Sequence, residues 1–99
     1  MIFPEVNRYA VVSTGMMTHA DMHKMKFDAK GLDPEGPIII DYEIGFFVYA
    51  WHEDEITDNF KKYSPQVQQI MEEAHKQGIT YVMFDRDGPK IEGLNVYDW

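Results

Sequence analysis

Ile38-Ile39-Ile40-Asp41-Tyr42-Glu43-Ile44-Gly45-Phe46-Phe47-Val48-Tyr49-Ala50-Trp51 is the stretch whose reading decides the fold. β-Branched and aromatic residues fill both of its halves, which suits a pleated, half-buried surface. Between the halves, Glu43-Ile44-Gly45 predicts a hairpin turn in which Gly45 supplies a positive φ. Strands are therefore expected over 38–42 and 46–51, antiparallel to each other.

Moving toward the N-terminus, Gly31, Pro34, Gly36 and Pro37 mark a loop. Before it, Thr18 and Asp21 form a T-x-x-D pair like a capping box, which opens a short helix with Met22, Met25 and Phe27 on its apolar side. Tyr9-Ala10-Val11-Val12-Ser13 reads as a first strand. Moving toward the C-terminus, Phe60 and Tyr63 lead to a second helix. Ser64 is its N-cap and Pro65 sits at N1, where a missing N–H costs nothing. Val67, Ile70, Met71 and Ala74 fall at i, i+3, i+4 and i+7, a single buried stripe. Gly78 is the glycine that ends the helix. Tyr81-Val82-Met83-Phe84 is a fourth strand, and Asp87-Gly88-Pro89 turns into a short C-terminal tail.

The order β-α-β-β-α-β predicts one α+β domain over 1–99 with a ferredoxin-like arrangement. Two helices are expected on one face of a mostly antiparallel four-stranded sheet. At 99 residues the chain fits a single domain. It contains no cysteine, so disulfides and thiolate metal sites are excluded. The first residues, Met1-Ile2-Phe3-Pro4-Glu5, lack the basic region of a signal peptide, and the longest apolar run, Ile44 to Trp51, is far short of the ~20 residues of a membrane helix. These features predict a cytoplasmic protein that meets no membrane.

Charge is unevenly placed. Net charge is −8, yet residues 31–60 hold eight acids and no Lys or Arg, so the acids and bases elsewhere cancel. Such a local field repels nucleic acid and attracts basic surfaces. If residues 38–51 form a hairpin, the loops before and after it share one end of the sheet. Asp33, Glu35, Glu53, Asp54, Glu55 and Asp58 are then expected to gather there, with Asp41 and Glu43 at the hairpin end.

Alternation places Phe47, Tyr49 and Trp51 on one face, with Tyr81 beside them as the aromatic partner from the fourth strand. Both faces of the sheet are apolar. The face without helices therefore needs a cover: Tyr97 and Trp99 of the tail, a second copy, or a partner. Bases stacking on such a face would make an RNA-binding sheet, but the surrounding acids oppose it.

Two motifs invite chemistry. Tyr81-Val82-Met83-Phe84-Asp85-Arg86-Asp87-Gly88 looks like the first motif of haloacid-dehalogenase-type phosphatases, in which two aspartates work beside Mg²⁺. Here Pro89 stands where that motif has Thr, and the bland reading is a turn in which Asp85 and Asp87 bond local backbone. His19 and His23 share a helix face at i, i+4 spacing, but a stable zinc site needs three or four ligands. No nucleophile constellation or phosphate loop is visible, and no cofactor is expected.

Three stretches together carry a resemblance: Ser13-Thr14-Gly15-Met16-Met17-Thr18, Tyr42-Glu43-Ile44-Gly45-Phe46-Phe47-Val48-Tyr49, and Asp85-Arg86-Asp87-Gly88 through Gly93-Leu94 to Tyr97-Asp98-Trp99. The chain resembles a family of small, functionally uncharacterised proteins carried by bacterial plasmids, phages and other mobile elements. That resemblance implies a setting rather than an activity: small acidic proteins that counter host defences. The leading expectation is a non-enzymatic protein that blocks a host nucleic-acid-handling or defence complex through a basic surface. The alternatives are a metal-assisted hydrolase or nucleotide-handling enzyme using Asp85 and Asp87, and a ligand-sequestering or homodimeric module using the aromatic face.

Overall fold

In the computed structural model, which describes residues 1–51 and 56–98, the hairpin forms as the sequence predicts. β2 (Ile39–Tyr42) pairs antiparallel with β3 (Gly45–Tyr49), and Tyr42 faces Gly45 across the turn. The glycine is there for a different reason from the one expected, since its φ is not positive. A Cβ on Gly45 would lie 1.8 Å from the Phe84 carbonyl oxygen, so the position is one of close backbone approach.

β1 (Tyr9–Ser13) precedes α1 (His19–Asp28), and α2 (Pro65–Lys76) precedes β4 (Tyr81–Asp85). Single 3-10 turns lie at Thr14–Met16 and Phe60–Lys62. Both helices start as read. Thr18 and Asp21 close a full capping box on α1, and the Ser64 hydroxyl accepts from the Val67 N–H on α2. α2 ends at Gly78, whose φ is +71°.

The α+β class and the element order hold, but the ferredoxin-like arrangement is not what the sheet shows. The strand order is β1-β4-β3-β2, with β1 at an edge and parallel to β4. β4 lies antiparallel and directly beside β3. The sheet is therefore mixed.

Two buried aspartates on α1 account for this path. Asp21 and Asp28 are 3% and 5% exposed, and with Met25 they form the helix's inward stripe at i, i+4, i+7. Asp28 accepts from the Tyr63 hydroxyl at 2.6 Å, the Lys24 ammonium at 3.0 Å and the Asn59 amide at 3.3 Å. Asp21 accepts from the Ser64 N–H at 2.8 Å and from the Ser64 hydroxyl. Residues 59–64 are thus drawn along α1 from its last turn to its first. α2 then starts at the hairpin end of the sheet and runs back, so β4 enters where β3 leaves. Ala50 N–H donates to Thr80 C=O at that junction.

The core lies between the sheet and both helices. Val12, Phe46, Val48, Val82 and Phe84 from the strands meet Met25 of α1 and the Val67, Ile70, Met71, Ala74 stripe of α2. Met22 is half-buried against this core, while Phe27, expected to join it, is 53% exposed. Asp28 takes the inward position instead.

The tail packs on the helix side. Gln66, buried at the start of α2, donates to the carbonyls of Met16 and Asn95, and its own carbonyl accepts from the Asn95 N–H. Tyr97 N–H donates to Gly15 C=O, and Ile91 and Leu94 pack against the core.

Candidate interaction surfaces

At the end of the sheet where β3 leaves, the two acid-bearing loops are stitched together. The Asn59 amide donates to Asp33 at 2.7 Å, and the Thr57 hydroxyl donates to the Glu35 carbonyl at 2.8 Å. The bond from Asn59 comes first among the causes that hold the Asp33 carboxyl below its ordinary range, followed by the Glu35 N–H, with Lys24 and Lys62 adding a weaker pull. Asp33, Glu35 and Asp58 therefore share one end, as the hairpin implied. Glu53, Asp54 and Glu55 lie outside the described residues. Lys24 and Lys62 also sit close enough to act on Asp33, so the described part of this end carries both signs.

Asp85 is spent on structure. One of its oxygens accepts from the Asp87 N–H at 2.7 Å and the other from the Tyr42 hydroxyl at 2.9 Å, while Gly88 N–H donates to its carbonyl. This is the strand-ending turn of the bland reading. Asp87 points to solvent beside Arg86, 3.9 Å away.

Burial first, then the bond to Asp85, pushes the Tyr42 phenol up to about 12. An unfolded tyrosine ionises near ~10, so the native phenol keeps its proton after the unfolded one has lost it. The contribution is complete below pH ~10 and disappears as pH rises from there through the folded value. Tyr42→Phe should flatten this part of the alkaline loss of stability, read as the difference in urea midpoints just below and within the window. A variant with the wild-type alkaline slope would contradict the assignment.

The His19 and His23 rings lie 4.4 Å apart on the exposed side of α1, while Asp21 turns inward. Among the described residues, no group of three or more His, Asp or Glu is placed to hold a metal ion. A cleft of about 700 Å³ opens between α1 and the hairpin tip. Lys26, Asp41, Glu43, Arg86, Tyr97 and Asp98 line it with charges of both signs. Tyr97 thus lies on the helix side and does not cover the opposite face of the sheet. Trp99 is outside the described residues.

That opposite face carries an aromatic ladder. Tyr9 meets Phe47 edge-on at 5.8 Å, Phe47 stacks on Tyr81 at 4.8 Å, and Tyr81 meets Tyr49 edge-on at 5.6 Å. Trp51, expected here, is instead 3% exposed and stacks on Phe60 at 4.8 Å. β3 ends at Tyr49, so strand alternation no longer governs residue 51, and the ring joins the core beside Tyr63.

The sequence reading missed Tyr9 on this ladder, the reach of Asp21 beyond its capping box to Ser64, and the buried carboxylate Asp28. Tyr9 was legible as an outward position of β1 once its register with Tyr81 is known. The i, i+4, i+7 spacing of Asp21, Met25 and Asp28 was the available signal for the other two.

A family profile described as the C-terminal domain of a family of unknown function, DUF5983, matches residues 9–99. No curated protein and no solved structure matches the chain. No helix among the described residues is long and apolar enough to cross a membrane.

Proposed function

The chain belongs to this DUF5983 C-terminal domain family of unknown function, and we propose that it is a non-enzymatic protein that meets a basic partner surface through the acid-rich end of its sheet. The observation that carries this reading is the pair of bonds from Asn59 to Asp33 and from Thr57 to Glu35. They tie together the loops on either side of the hairpin, which carry Asp33, Glu35 and Asp58, and Glu53, Asp54 and Glu55 stand between Trp51 and Thr57 in the sequence. The Asx-turn role of Asp85 counts against the hydrolase alternative, because both of its oxygens are already engaged.

In the setting implied by the sequence resemblance, the protein is carried by a phage or other mobile element and acts in the cytoplasm of a bacterial host. Its partner is a nucleic-acid-handling or defence complex whose Lys and Arg otherwise hold phosphates. The acids imitate part of a nucleic-acid backbone, and binding displaces the natural ligand.

The test is affinity capture from host lysate at low and high salt, followed by mass spectrometry. Captured partner should fall by about tenfold or more as salt rises, since close charge pairs dominate. Reversing Glu53, Asp54 and Glu55 to Lys should abolish capture while leaving the urea midpoint close to wild type. Undiminished capture by that folded triple variant would refute the reading.

A further inference from the structure

β1 is an edge strand with one side in use. Arg8 C=O accepts from the Thr80 and Tyr81 N–H groups, so alternation turns the backbone of Ala10 and Val12 toward β4 and that of Tyr9, Val11 and Ser13 outward. The Ser13 N–H is taken by Pro89 C=O, where the tail crosses this edge. Among the described residues, no backbone group bonds Tyr9 or Val11 on that side. Folded proteins guard a free edge with a charge, a proline or a bulge. β1, Tyr9-Ala10-Val11-Val12-Ser13, has no charge and no proline, and it pairs with β4 in unbroken register. The other edge, β2, carries Asp41.

A pocket of about 430 Å³ lies beside the β1 edge on the helix side, between α2 and the tail. Ala10 and Val12 of β1 line it, with Ile79, Ile91 and Leu94, each only half-buried. Glu73 and Glu92 are its charged residues, both exposed, and no base lines it. The Gln77 amide donates to Glu73 at 3.0 Å, a neutral donor that leaves the charge in place. Arg8, at the start of the edge, is turned to the Gln77 carbonyl at 3.3 Å.

We propose that β1 takes up an extended peptide as a fifth strand, with one long aliphatic side chain of the peptide in this pocket and a Lys or Arg two residues away beside Glu73 or Glu92.

The outward N–H and C=O groups of Tyr9 and Val11 bond an extended backbone, whatever its side chains. The pocket selects the sequence. Side chains of an added strand alternate between the faces, so every second one falls on the helix side beside Ala10 and the others fall beside Tyr9 and Val11. A neighbouring strand lies about 4.8 Å away, close enough for a leucine-sized side chain to enter the pocket. Residues i and i+2 of that strand share the face, which brings a basic side chain to the acids when an aliphatic one is in the pocket.

A second copy is a poorer occupant. Antiparallel pairing of two β1 edges would bring only Ala10 and Val12 to the helix side, side chains too short to fill the pocket from the next strand. It would also set the Glu73 and Glu92 of the two copies near one another.

The probe is a blocked pentapeptide, Lys-Thr-Leu-Val-Lys, titrated into the ¹⁵N-labelled chain and followed by NMR. The amides of Tyr9, Val11 and Leu94 should shift together, and the Tyr9 and Val11 amides should exchange with solvent about tenfold more slowly. Replacing the peptide's leucine by serine should weaken binding by about tenfold or more. Two further peptides carry N-methyl groups, one on the leucine and the other on the threonine and valine. One of these sets of amides faces β1 in a parallel addition and the other in an antiparallel one, so one peptide should lose binding and the other keep it. Val11→Pro removes an outward N–H, a position where an edge strand accepts proline, and should abolish binding while the fold persists.

No shift at Tyr9 and Val11 up to ~1 mM peptide overturns the proposal. So do shifts confined to the acid end around Asp33, equal binding by both N-methylated peptides, or a folded Val11→Pro variant that binds as wild type. Equal binding of the serine peptide overturns the pocket's part in it. Tyr9 and Val11 amides already protected in a dimer without peptide would give the edge to a second copy and overturn the peptide as occupant. The proposal does not rest on the acid-end reading.

Discussion

Asp21→Ala is expected to lower the unfolding free energy by about 3–4 kcal/mol, the loss of two helix caps and of the donors left buried behind them. The carboxylate accepts from the N-cap Thr18 N–H at 2.9 Å, from the N-cap Ser64 N–H at 2.8 Å and from the Ser64 hydroxyl. One side chain therefore serves the first turns of both helices, and removing it orphans groups on each. In a domain of this size the drop should appear as a fall in melting temperature of roughly 15 °C or more. Ser64→Ala should cost less, about 1–2 kcal/mol, because Thr18 keeps its share of the carboxylate. Thermal and urea unfolding of the two variants gives the comparison. A loss below about 1 kcal/mol for Asp21→Ala would mean that the helix starts do not depend on this bridge.

Gly45→Ala is expected to cost about 3 kcal/mol or more, at the upper end of what forced overpacking does. The added methyl would meet backbone, with Phe84 O at 1.8 Å and Phe84 C at 2.9 Å, and no rotamer relieves a Cβ contact. Separating the strands there breaks the pairing of Gly45 with Asp85 and the bond from Arg86 N–H to Ile44 C=O. Gly78→Ala is the contrast. Gly78 has φ +71° and open space around its Cβ position, so only conformational strain of about 1 kcal/mol is lost. Urea midpoints should rank wild type above Gly78→Ala and both above Gly45→Ala. The reverse order of the two variants would contradict the close approach at the hairpin.

The hairpin, both helix starts, the α2 stripe and the strand-ending Asp85 turn were legible because each depends on residues a few positions apart. The Asp33, Glu35 and Asp58 grouping followed from the hairpin alone, since two strands joined by a tight turn must have their outer loops at one end. The uncovered aromatic face was legible as a need for a cover, though not as a list of residues. Trp51 was misread because alternation was carried past the last paired residue of β3. Asp21 was legible as a capping residue, but its bond to Ser64 and the bonds of Asp28 to Tyr63 and Asn59 were not, because those partners lie 31 to 43 positions away in the chain.

By itself the sequence determined the six elements and their order, through periodicity and capping chemistry that act within a helix turn or a strand. Only the tertiary structure decided that β4 lies beside β3 and parallel to β1. That choice depends on where residues 59–64 run, and they run along α1 because Tyr63, Asn59 and Ser64 find buried carboxylates there, partners 31 to 43 positions away in the chain. Tertiary structure likewise decided which side the tail covers. Gln66 and Gly15 hold it on the helix side, and the aromatic face is left open.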